Sequence, residues 1–305
     1  TSTRRRWTND NSCTSRQHTK SIQTRNLRIE LIPQRIFTID FETICAFSKT
    51  KNIELPYNLW DLERAFERMQ EILETLEVSP TFFMLSSTAE KYPNLVKRIA
   101  EQYDIGSHSH NHNLISTLTV KEFSEDVRKS IDILQQLSGK KINKYRAPGF
   151  SLPATEYMEQ LVANGIEIDC SQTPTNHLYG KKTTNLQIPY RIQLPNGIIK
   201  EFPITTFKLL GNNIGFTGGG YFRLYPYSLI KQATSKASYL MAYIHLSDIE
   251  PNQEKIKELS LSLQFRRLVG VKSAERKLKK WLGDFDFISV EQANQQINWD
   301  KQPLL

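Results

Sequence analysis

Apolar positions in the first half of the chain switch repeatedly between the spacing of a strand and the spacing of a helix. Runs of β-branched and aromatic residues predict strands over 35–42, 81–85, 104–107, 144–148 and 166–169. Amphipathic stretches predict helices over 58–76, 89–102, 119–137 and 154–163, with Asn58 as the cap of the first. This regular alternation favours a parallel sheet with helical crossovers, either open or closed into a barrel.

The alternation fails over residues 172–225 and then returns. Asn, Thr, Gly and Pro are frequent in that segment, which predicts an insertion of loops and short strands. Beyond it, the pattern predicts strands over 239–245 and 285–289 and helices over 252–268 and 273–282. The fold class is therefore α/β. The predicted organisation is a leader over 1–34, one domain over 35–297 and a tail over 298–305.

Composition and charge separate the leader from the rest of the chain. Of 305 residues, 39% are apolar and 24% are charged, as in a globular protein, and no transmembrane segment is expected. Residues 1–35 hold eight Lys/Arg and two Asp/Glu, so they contribute +6 of the net charge of +8 and the remainder only +2. A basic leader rich in Ser, Thr and Asn is expected to be disordered, and no nucleic-acid partner is expected for the domain.

Cysteine usage and the first residues favour a reducing compartment. The three cysteines are Cys13, Cys45 and Cys170, and none has a CxxC partner, so reduced thiols are expected. The first 35 residues lack the apolar stretch of a secretory signal, which favours a cytoplasmic location.

Histidine is concentrated in residues 105–112, Ile-Gly-Ser-His-Ser-His-Asn-His, which hold three of the six histidines. Neutral imidazole is the commonest protein ligand for zinc and related ions. In an extended chain His108 and His112 would lie roughly 13 Å apart, too far to share an ion. A helical turn would bring that pair to within about 6 Å, whereas an extended segment would favour His108 with His110. Spacing alone leaves the ligand pair open, and a histidine-rich polar loop without metal is the alternative.

Two carboxylates end the first predicted strand. Asp40 and Glu42 are two residues apart, so their side chains emerge on the same face. Two imidazoles and one carboxylate make a three-ligand site with an open position, which is typical of catalytic zinc. The second carboxylate could then act as a general base. The alternative is a strand end at which both carboxylates meet solvent.

Three further polar residues, Arg146, Asp169 and His245, follow or end predicted strands. In parallel α/β folds the carboxyl ends of the strands form the edge at which sites assemble. These three residues are therefore candidates to surround the histidine cluster.

Five motifs in this order resemble those of the polysaccharide deacetylases of the NodB-homology class, carbohydrate esterase family 4. The matching segments are Thr38–Glu42, His108–His112, Arg146–Phe150, Asp169–Ser171 and Tyr243–His245. The run Gly218–Arg223 is similar to a signature of the exopolysaccharide-biosynthesis branch, which has an extra C-terminal region, and no catalytic role is assigned to it. The resemblance implies a distorted, seven-stranded (β/α) barrel of the TIM-like kind.

The resemblance also implies roles for individual residues. The implied catalytic residues are Asp40 as base and His245 as acid, with Arg146 and Asp169 beside them. The implied ligands of a divalent ion, with zinc as the first expectation, are Glu42, His108 and His112. The implied substrate-binding residues are Pro148, Gly149, Phe150, Ser171 and Tyr243. Arg146 would keep Asp40 ionised, and His110 falls outside the ligand set.

The implied function is a metal-dependent hydrolase of linear amides that removes N-acetyl groups from amino sugars of a glycan, in exopolysaccharide or cell-envelope biosynthesis. Three departures from the family pattern bear on it. Glu42 stands where an Asp is common, Thr43 where the branch often has another Asp, and Leu-Ser-Asp follows His245 in place of Pro-Trp-Glu. The alternatives are an O-deacetylase or other amide hydrolase on the same fold, and a catalytically silent glycan-binding protein.

Overall fold

The structure is a computed structural model. It describes residues 34–43, 61–150, 152, 154–176, 182–209, 211–253, 255–257 and 259–305. The predicted leader other than Gln34, the predicted cap Asn58, and Cys13 and Cys45 lie outside these residues.

Ten strands lie in the described part of the chain. They are β1 Gln34–Phe41, β2 Thr81–Met84, β3 Asp104–Ser107, β4 Lys144–Tyr145, β5 Ile168–Asp169, β6 Tyr190–Leu194, β7 Gly197–Glu201, β8 Thr206–Leu209, β9 Asn212–Gly215 and β10 Tyr239–His245. Eight form one sheet in the order β10-β1-β2-β3-β4-β5-β7-β6, and β8 and β9 form a separate hairpin. Among the described strands of the large sheet, only β6 runs antiparallel to its neighbour.

The α/β class with a curled parallel sheet is confirmed, and the expected count of seven strands is wrong. Seven strands are parallel, and β6 adds an eighth at the edge. The sheet is a half-barrel, because β10 and β6 form its two edges among the described residues.

Ten α-helices in the described residues connect or flank these strands. They are α1 Leu62–Thr75, α2 Ser86–Ala89, α3 Pro93–Gln102, α4 Val120–Ser138, α5 Thr155–Ala163, α6 Gly219–Leu224, α7 Tyr227–Lys236, α8 Leu261–Leu268, α9 Val271–Asp284 and α10 Val290–Gln296. Within the described residues, no helix combines the length and the apolar character needed to cross a membrane.

Local capping explains where several helices begin and end. The Asp61 carboxylate accepts the N–H of Arg64, so Asp61 caps α1. A capping box of Thr119 and Glu122 begins α4, and Gly139, with φ of 68°, ends it. Pro93 lies in the first turn of α3 and separates it from α2, because proline has no N–H to continue the preceding helix.

Three predicted elements differ from the structure. The helix predicted over 252–268 begins only at Leu261, where the Ser260 hydroxyl caps it. The strand predicted over 285–289 is reduced to a single bridge between Ile36 and Ile288. The segment 172–225 holds two strands of the main sheet as well as the hairpin, because β6 and β7 extend the sheet beyond β5.

The predicted tail over 298–305 is hydrogen bonded to the sheet edge. The backbone N–H of Arg191 donates to the Pro303 carbonyl at 2.8 Å, and that of Gln193 donates to the Leu305 carbonyl at 2.9 Å. The Trp299 ring packs edge-on against Phe202, with their centroids 5.4 Å apart. These contacts cover the free edge that β6 would otherwise expose.

Apolar residues of β1 pack on both faces of the sheet. Phe37, Ile39 and Phe41 join the large cluster formed with the helices. Ile36 joins a second cluster inside the curl, which includes Phe83. Because side chains alternate along a strand, Thr38 and Asp40 also face the inside of the curl. The fold thereby directs polar groups of β1 into an apolar interior.

A pair of buried carboxyl groups joins β5 to β7, where Asp169 and Glu201 stand in register. Burial raises the pKa of Glu201 well above its usual value, and the charge and hydrogen bond of Asp169 raise it further. Burial also raises the pKa of Asp169, to about 6, against hydrogen bonds from Ser171 and Glu201 that lower it. Glu201 is therefore the protonated member of the pair, and its carboxyl O–H donates a hydrogen bond to the Asp169 carboxylate.

We expect Glu201→Gln to flatten the dependence of stability on pH. The folded chain keeps a proton on Glu201 that the unfolded chain releases above about pH 4.5, so stability falls as the pH rises, by up to about 1.4 kcal/mol per pH unit. Glutamine does not titrate and keeps a donor toward Asp169. Urea unfolding between pH 5 and 9 should therefore show a smaller decline in the free energy of unfolding than in the wild type.

The matched control is Glu101→Gln, which removes one exposed carboxylate. It should leave the decline unchanged. Equal declines of the free energy of unfolding in the wild type and Glu201→Gln would contradict the assignment of a proton to Glu201.

Candidate metal centre and active site

The candidate site lies at the carboxyl ends of neighbouring strands. Asp40 in β1 is in register with His245 in β10. His108 directly follows β3, and Arg146 directly follows β4. The predicted site residues on these four strands therefore meet at one edge of the sheet, as expected for a parallel α/β fold.

Asp40 and Arg146 form a buried ion pair. An Arg146 Nη1–H donates to Asp40 Oδ1 at 2.7 Å, and the two side chains are 0% (Arg146) and 3% (Asp40) exposed. The same nitrogen donates to Thr38 Oγ1 at 2.7 Å, and the Thr38 hydroxyl donates to the Ala242 carbonyl at 2.6 Å. Because the pair is screened from water, these contacts fix the Asp40 carboxylate in one orientation.

Aromatic rings enclose the same guanidinium. Arg146 Cζ lies 4.2 Å from the centroid of the Phe83 ring and 5.5 Å from that of Phe150. An arginine over an aromatic face is stabilised by the ring quadrupole, and more strongly when both are desolvated. The rings therefore help to compensate the buried charge and to hold the plane of the guanidinium.

Glu42, His108 and His112 converge on one point. His112 Nε2 lies 2.9 Å from Glu42 Oε2, and His108 Nε2 lies 3.8 Å from the same oxygen. The chain reaches this arrangement through left-handed backbone at Ser109 and His112, with φ of 68° and 56°, and not through a helical turn. The structure thus selects His108 and His112 from the pairs that spacing left open.

His110 lies apart from this cluster. Its Nδ1 is 2.8 Å from the Ser86 hydroxyl, and its backbone N–H donates to Asp126 at 2.8 Å. These contacts anchor the loop to α2 and α4.

The cluster carries the charges that a metal ion requires. Burial raises the pKa of Glu42, but His112, His245 and His108 outweigh it and lower the value to about 2. Burial lowers the pKa of His108 to about 4, against Asp40 and Glu42, which raise it. At neutral pH the ligand set therefore contains an ionised carboxylate and a neutral imidazole.

The orientation of His108 also suits ligation. Its Nδ1 lies 2.9 Å from the Arg146 carbonyl, so Nδ1–H donates there and the Nε2 lone pair faces the cluster.

The distances fit a single ion. Two ligands that each lie about 2.0–2.2 Å from an ion are at most about 4.4 Å apart, and both Glu42–histidine distances, 2.9 and 3.8 Å, meet that limit. Among the described residues, this is the group of His, Cys, Asp and Glu side chains close enough to hold a metal.

His245 faces the cluster from the end of β10. Its Nε2 lies 3.4 Å from Glu42 Oε1 and 3.8 Å from Asp40 Oδ2, and its side chain is 29% exposed. Burial lowers the pKa of His245, but the hydrogen bond and charge of Asp248, with Glu42 and Asp40, outweigh it and raise the value to about 9. This pKa favours a protonated imidazole at neutral pH, and the side chain is partly accessible to solvent.

The predicted substrate-binding residues separate into two groups. Pro148, Gly149 and Phe150 form a tight turn, with φ of 60° at Gly149 and 51° at Phe150. The Phe150 ring packs edge-on against Tyr243 at 4.9 Å between centroids, and Tyr243 lies 5.9 Å from the His245 ring. Phe150 and Tyr243 thus form an aromatic wall beside His245.

Ser171 belongs to the second group, and its predicted contact with substrate stays a prediction. It is fully buried, its hydroxyl accepts the Ala147 N–H at 2.8 Å, and it donates to Asp169 Oδ1 at 2.5 Å. Both functions of the hydroxyl are used within the protein, so Ser171 holds the segment that follows Arg146. Asp169 contacts Ser171 and Glu201, and its predicted catalytic role stays a prediction.

Three residues in or behind the site have no sequence-predicted role. Thr38 bonds Arg146, Asp248 bonds His245, and Arg223 pairs with Asp248. An Asp three residues after His245 matches a capping-box pattern, which could have identified Asp248. No local signal links Arg223 to the site, because the contact depends on the tertiary fold.

Two family models match the chain. A polysaccharide deacetylase model matches residues 51–168, and a domain of unknown function (DUF3473) matches residues 170–295. The first match contains His108, His112 and Arg146, and the second contains His245.

Two bacterial deacetylases are similar to part of the chain. A peptidoglycan-N-acetylglucosamine deacetylase of Bacillus cereus is 36% identical over 94 residues, which are 28% of this chain and 34% of that protein. The peptidoglycan-N-acetylmuramic acid deacetylase PdaC of Bacillus subtilis is 35% identical over 69 residues, 22% of this chain and 15% of that protein. The chain thus matches about a third or less of the length of these relatives.

The fold is shared with a Mycobacterium smegmatis protein assigned to the polysaccharide deacetylases. Its crystal structure superposes with a TM-score of 0.61 at 14% identity, and the match covers 88% of this chain and 91% of that one. At this identity the likeness shows the fold alone. The match over residues 51–168 indicates a polysaccharide deacetylase domain in that part of the chain.

Proposed function

We propose that the protein is a metal-dependent deacetylase that hydrolyses N-acetyl groups on amino sugars of a glycan. The observation that carries the proposal is the convergence of Glu42, His108 and His112 beside a fixed carboxylate, Asp40, and the imidazole of His245. The names of the bacterial relatives support the choice of an N-acetylated sugar.

The three ligand residues would hold a divalent ion, zinc being the first choice. Such an ion supplies Lewis-acid polarisation of the amide carbonyl. Against the effect of burial, the surrounding histidines lower the pKa of Glu42, whereas burial lowers the pKa of His108. Glu42 is then ionised and His108 is neutral, which are the states that bind a metal ion.

Asp40 is the base in this mechanism. Arg146 occupies its Oδ1, which leaves Oδ2, on the side of His245, to accept a proton from the attacking water. The water oxygen bonds to the acetamide carbon, and the carbon–nitrogen bond breaks. His245 donates its Nε2 proton to the departing nitrogen, so the products are acetate and a free amine.

The two roles follow from the surroundings of each group. Asp40 is paired with a buried guanidinium, whereas Asp248 and the site carboxylates raise the pKa of His245 and favour the imidazolium. Enzymes assign acid and base functions by such differences in environment. The half-buried Tyr243 ring, backed by Phe150, offers apolar surface for a sugar ring next to the acid.

We place the substrate among exopolysaccharides and cell-envelope glycans. The similarity of Gly218–Arg223 to a signature of the exopolysaccharide branch supports the first, and the peptidoglycan deacetylases named above support the second. Acetate release from N-acetylglucosamine polymers and from peptidoglycan fragments, measured side by side, distinguishes them.

We expect the wild type to bind about one equivalent of zinc and the double variant His108→Ala/His112→Ala to bind none. The variant leaves a single carboxylate, which does not hold the ion alone. Elemental analysis after dialysis against zinc measures the content. The matched control is His110→Asn, which changes the neighbouring histidine outside the cluster and should retain the ion. Equal zinc in the wild type and the double variant would refute this ligand set.

We expect Asp40→Asn to bind the ion as the wild type does and to release acetate about 10²–10⁴-fold more slowly, because a general base contributes that much. Acetate release from N-acetyl chitooligosaccharides, with zinc content measured in the same samples, provides the test. Acetate release from neither form, with glycan binding retained in both, would favour the glycan-binding alternative. Equal rates would exclude Asp40 as the base.

A further inference from the structure

A chain of contacts leads from the site histidine into the C-terminal region. Asp248 Oδ2 accepts the backbone N–H of His245 at 2.8 Å and lies 3.2 Å from His245 Nδ1. The other oxygen, Oδ1, lies 2.8 Å from Arg223 Nε. One carboxylate thus connects His245 to an arginine in α6, to which neither the sequence pattern nor the resemblance gives a catalytic role.

The Arg223 guanidinium is fixed on its other side by α8. Its Nη1 donates to the carbonyls of Arg267, at 2.6 Å, and Val269, at 3.1 Å, and its Nη2 donates to that of Arg266 at 3.0 Å. Carbonyls at the end of a helix lack intrahelical partners, so these bonds satisfy the carbonyls and the two Nη groups of Arg223. Nε is thereby left facing Asp248. The two side chains are 7% (Arg223) and 5% (Asp248) exposed, which shields the pair from salt.

The position of α6 is also determined by close packing. A Cβ on Gly218 would lie 2.4 Å from the Tyr243 carbonyl oxygen, so only glycine fits where α6 begins against β10. At the other end, Lys277 Nζ donates to the carbonyls of Phe222, Arg223 and Tyr225 at 2.7–3.1 Å. The short helix that carries Arg223 is therefore held at both of its ends.

We propose that Arg223 and Asp248 are positioning residues for His245. Arg223 fixes the Asp248 carboxylate, and the carboxylate holds the imidazole through Nδ1–H, so that Nε2 is directed into the site. A carboxylate behind a catalytic imidazole sets its tautomer and orientation in the same way in other hydrolases. The inference rests on the proposed function, in which His245 donates a proton to the leaving nitrogen.

The proposal gives part of the C-terminal region a specific task. Arg223, Asp248 and His245 all lie within residues 170–295, the match to the domain of unknown function. The metal ligands His108 and His112 lie in the other match. The C-terminal region would thus supply the acid and the groups that orient it, and the N-terminal region would supply the histidine ligands.

Kinetics on two substrates distinguish a positioning role from a general loss of active-site structure. Asp248→Asn and Arg223→Gln should each lower kcat for an N-acetyl chitooligosaccharide about 10–100-fold, with KM within about 2-fold of the wild type. Hydrolysis of an aryl acetate should change less than about 3-fold, because a phenolate departs without a proton. Zinc content should be unchanged. Arg223→Lys keeps a positive charge near Asp248 and should recover part of the lost rate.

The controls test whether the effect passes through His245. Adding Arg223→Gln to His245→Gln should cause no further loss of kcat, because a positioning residue has no effect once its target is removed. Arg276→Gln, at an exposed position of α9, should leave both substrates unaffected. An equal loss on both substrates, or a further loss in the His245→Gln background, would overturn the proposal.

A measurement without turnover tests the contact itself. In protein labelled with ¹⁵N-histidine, the Nδ1–H proton of His245, assigned by its absence in His245→Gln, should resonate downfield. The resonance should shift upfield or broaden in Asp248→Asn and shift in Arg223→Gln. An unchanged resonance in Asp248→Asn would overturn the proposal regardless of activity. The expected shifts in a protein that releases no acetate would refute the proposed function and leave the positioning contact standing.

Discussion

The candidate site depends on a fully buried guanidinium. Burying the Arg146 charge costs several kcal/mol unless it is paired and hydrogen bonded. The compensating contacts, from Asp40, Thr38 and the ring of Phe83, fix the orientation of the Asp40 carboxylate. The backbone carbonyl of the same arginine accepts the Nδ1–H of His108. A single residue therefore orients both Asp40, the proposed base, and His108, a proposed metal ligand.

The elements that the sequence predicts well are those determined by local pattern. The strand that carries Asp40 and the capped helix after Thr119 follow from spacing and capping within a few residues. The motif order placed His108, His112 and the strand-end residues at one edge because parallel strands end together. Their convergence around Glu42 then required left-handed turns that spacing does not reveal.

Other features depend on contacts between segments that are distant in sequence. Strands β6 and β7 lie in a polar segment whose pattern is weak, and they are stabilised by joining the sheet beside β5. The partner of Asp169 is Glu201, a carboxyl group that only the strand register brings near. The ion pair of Arg223 with Asp248 likewise requires that α6 pack against β10. Sequence alone gives such residues no special role, because each becomes informative only with its partner.

Diffraction at the zinc absorption edge, on crystals of the zinc-loaded protein, distinguishes a metal centre at Glu42, His108 and His112 from a metal-free cluster. We expect one strong anomalous peak about 2.0–2.2 Å from His108 Nε2, His112 Nε2 and a carboxylate oxygen of Glu42. We also expect Asp40 to stay paired with Arg146 and His245 Nε2 to face the ion's open side. A peak elsewhere, or no peak at this cluster with zinc in excess, would contradict the metal centre and the proposed hydrolysis.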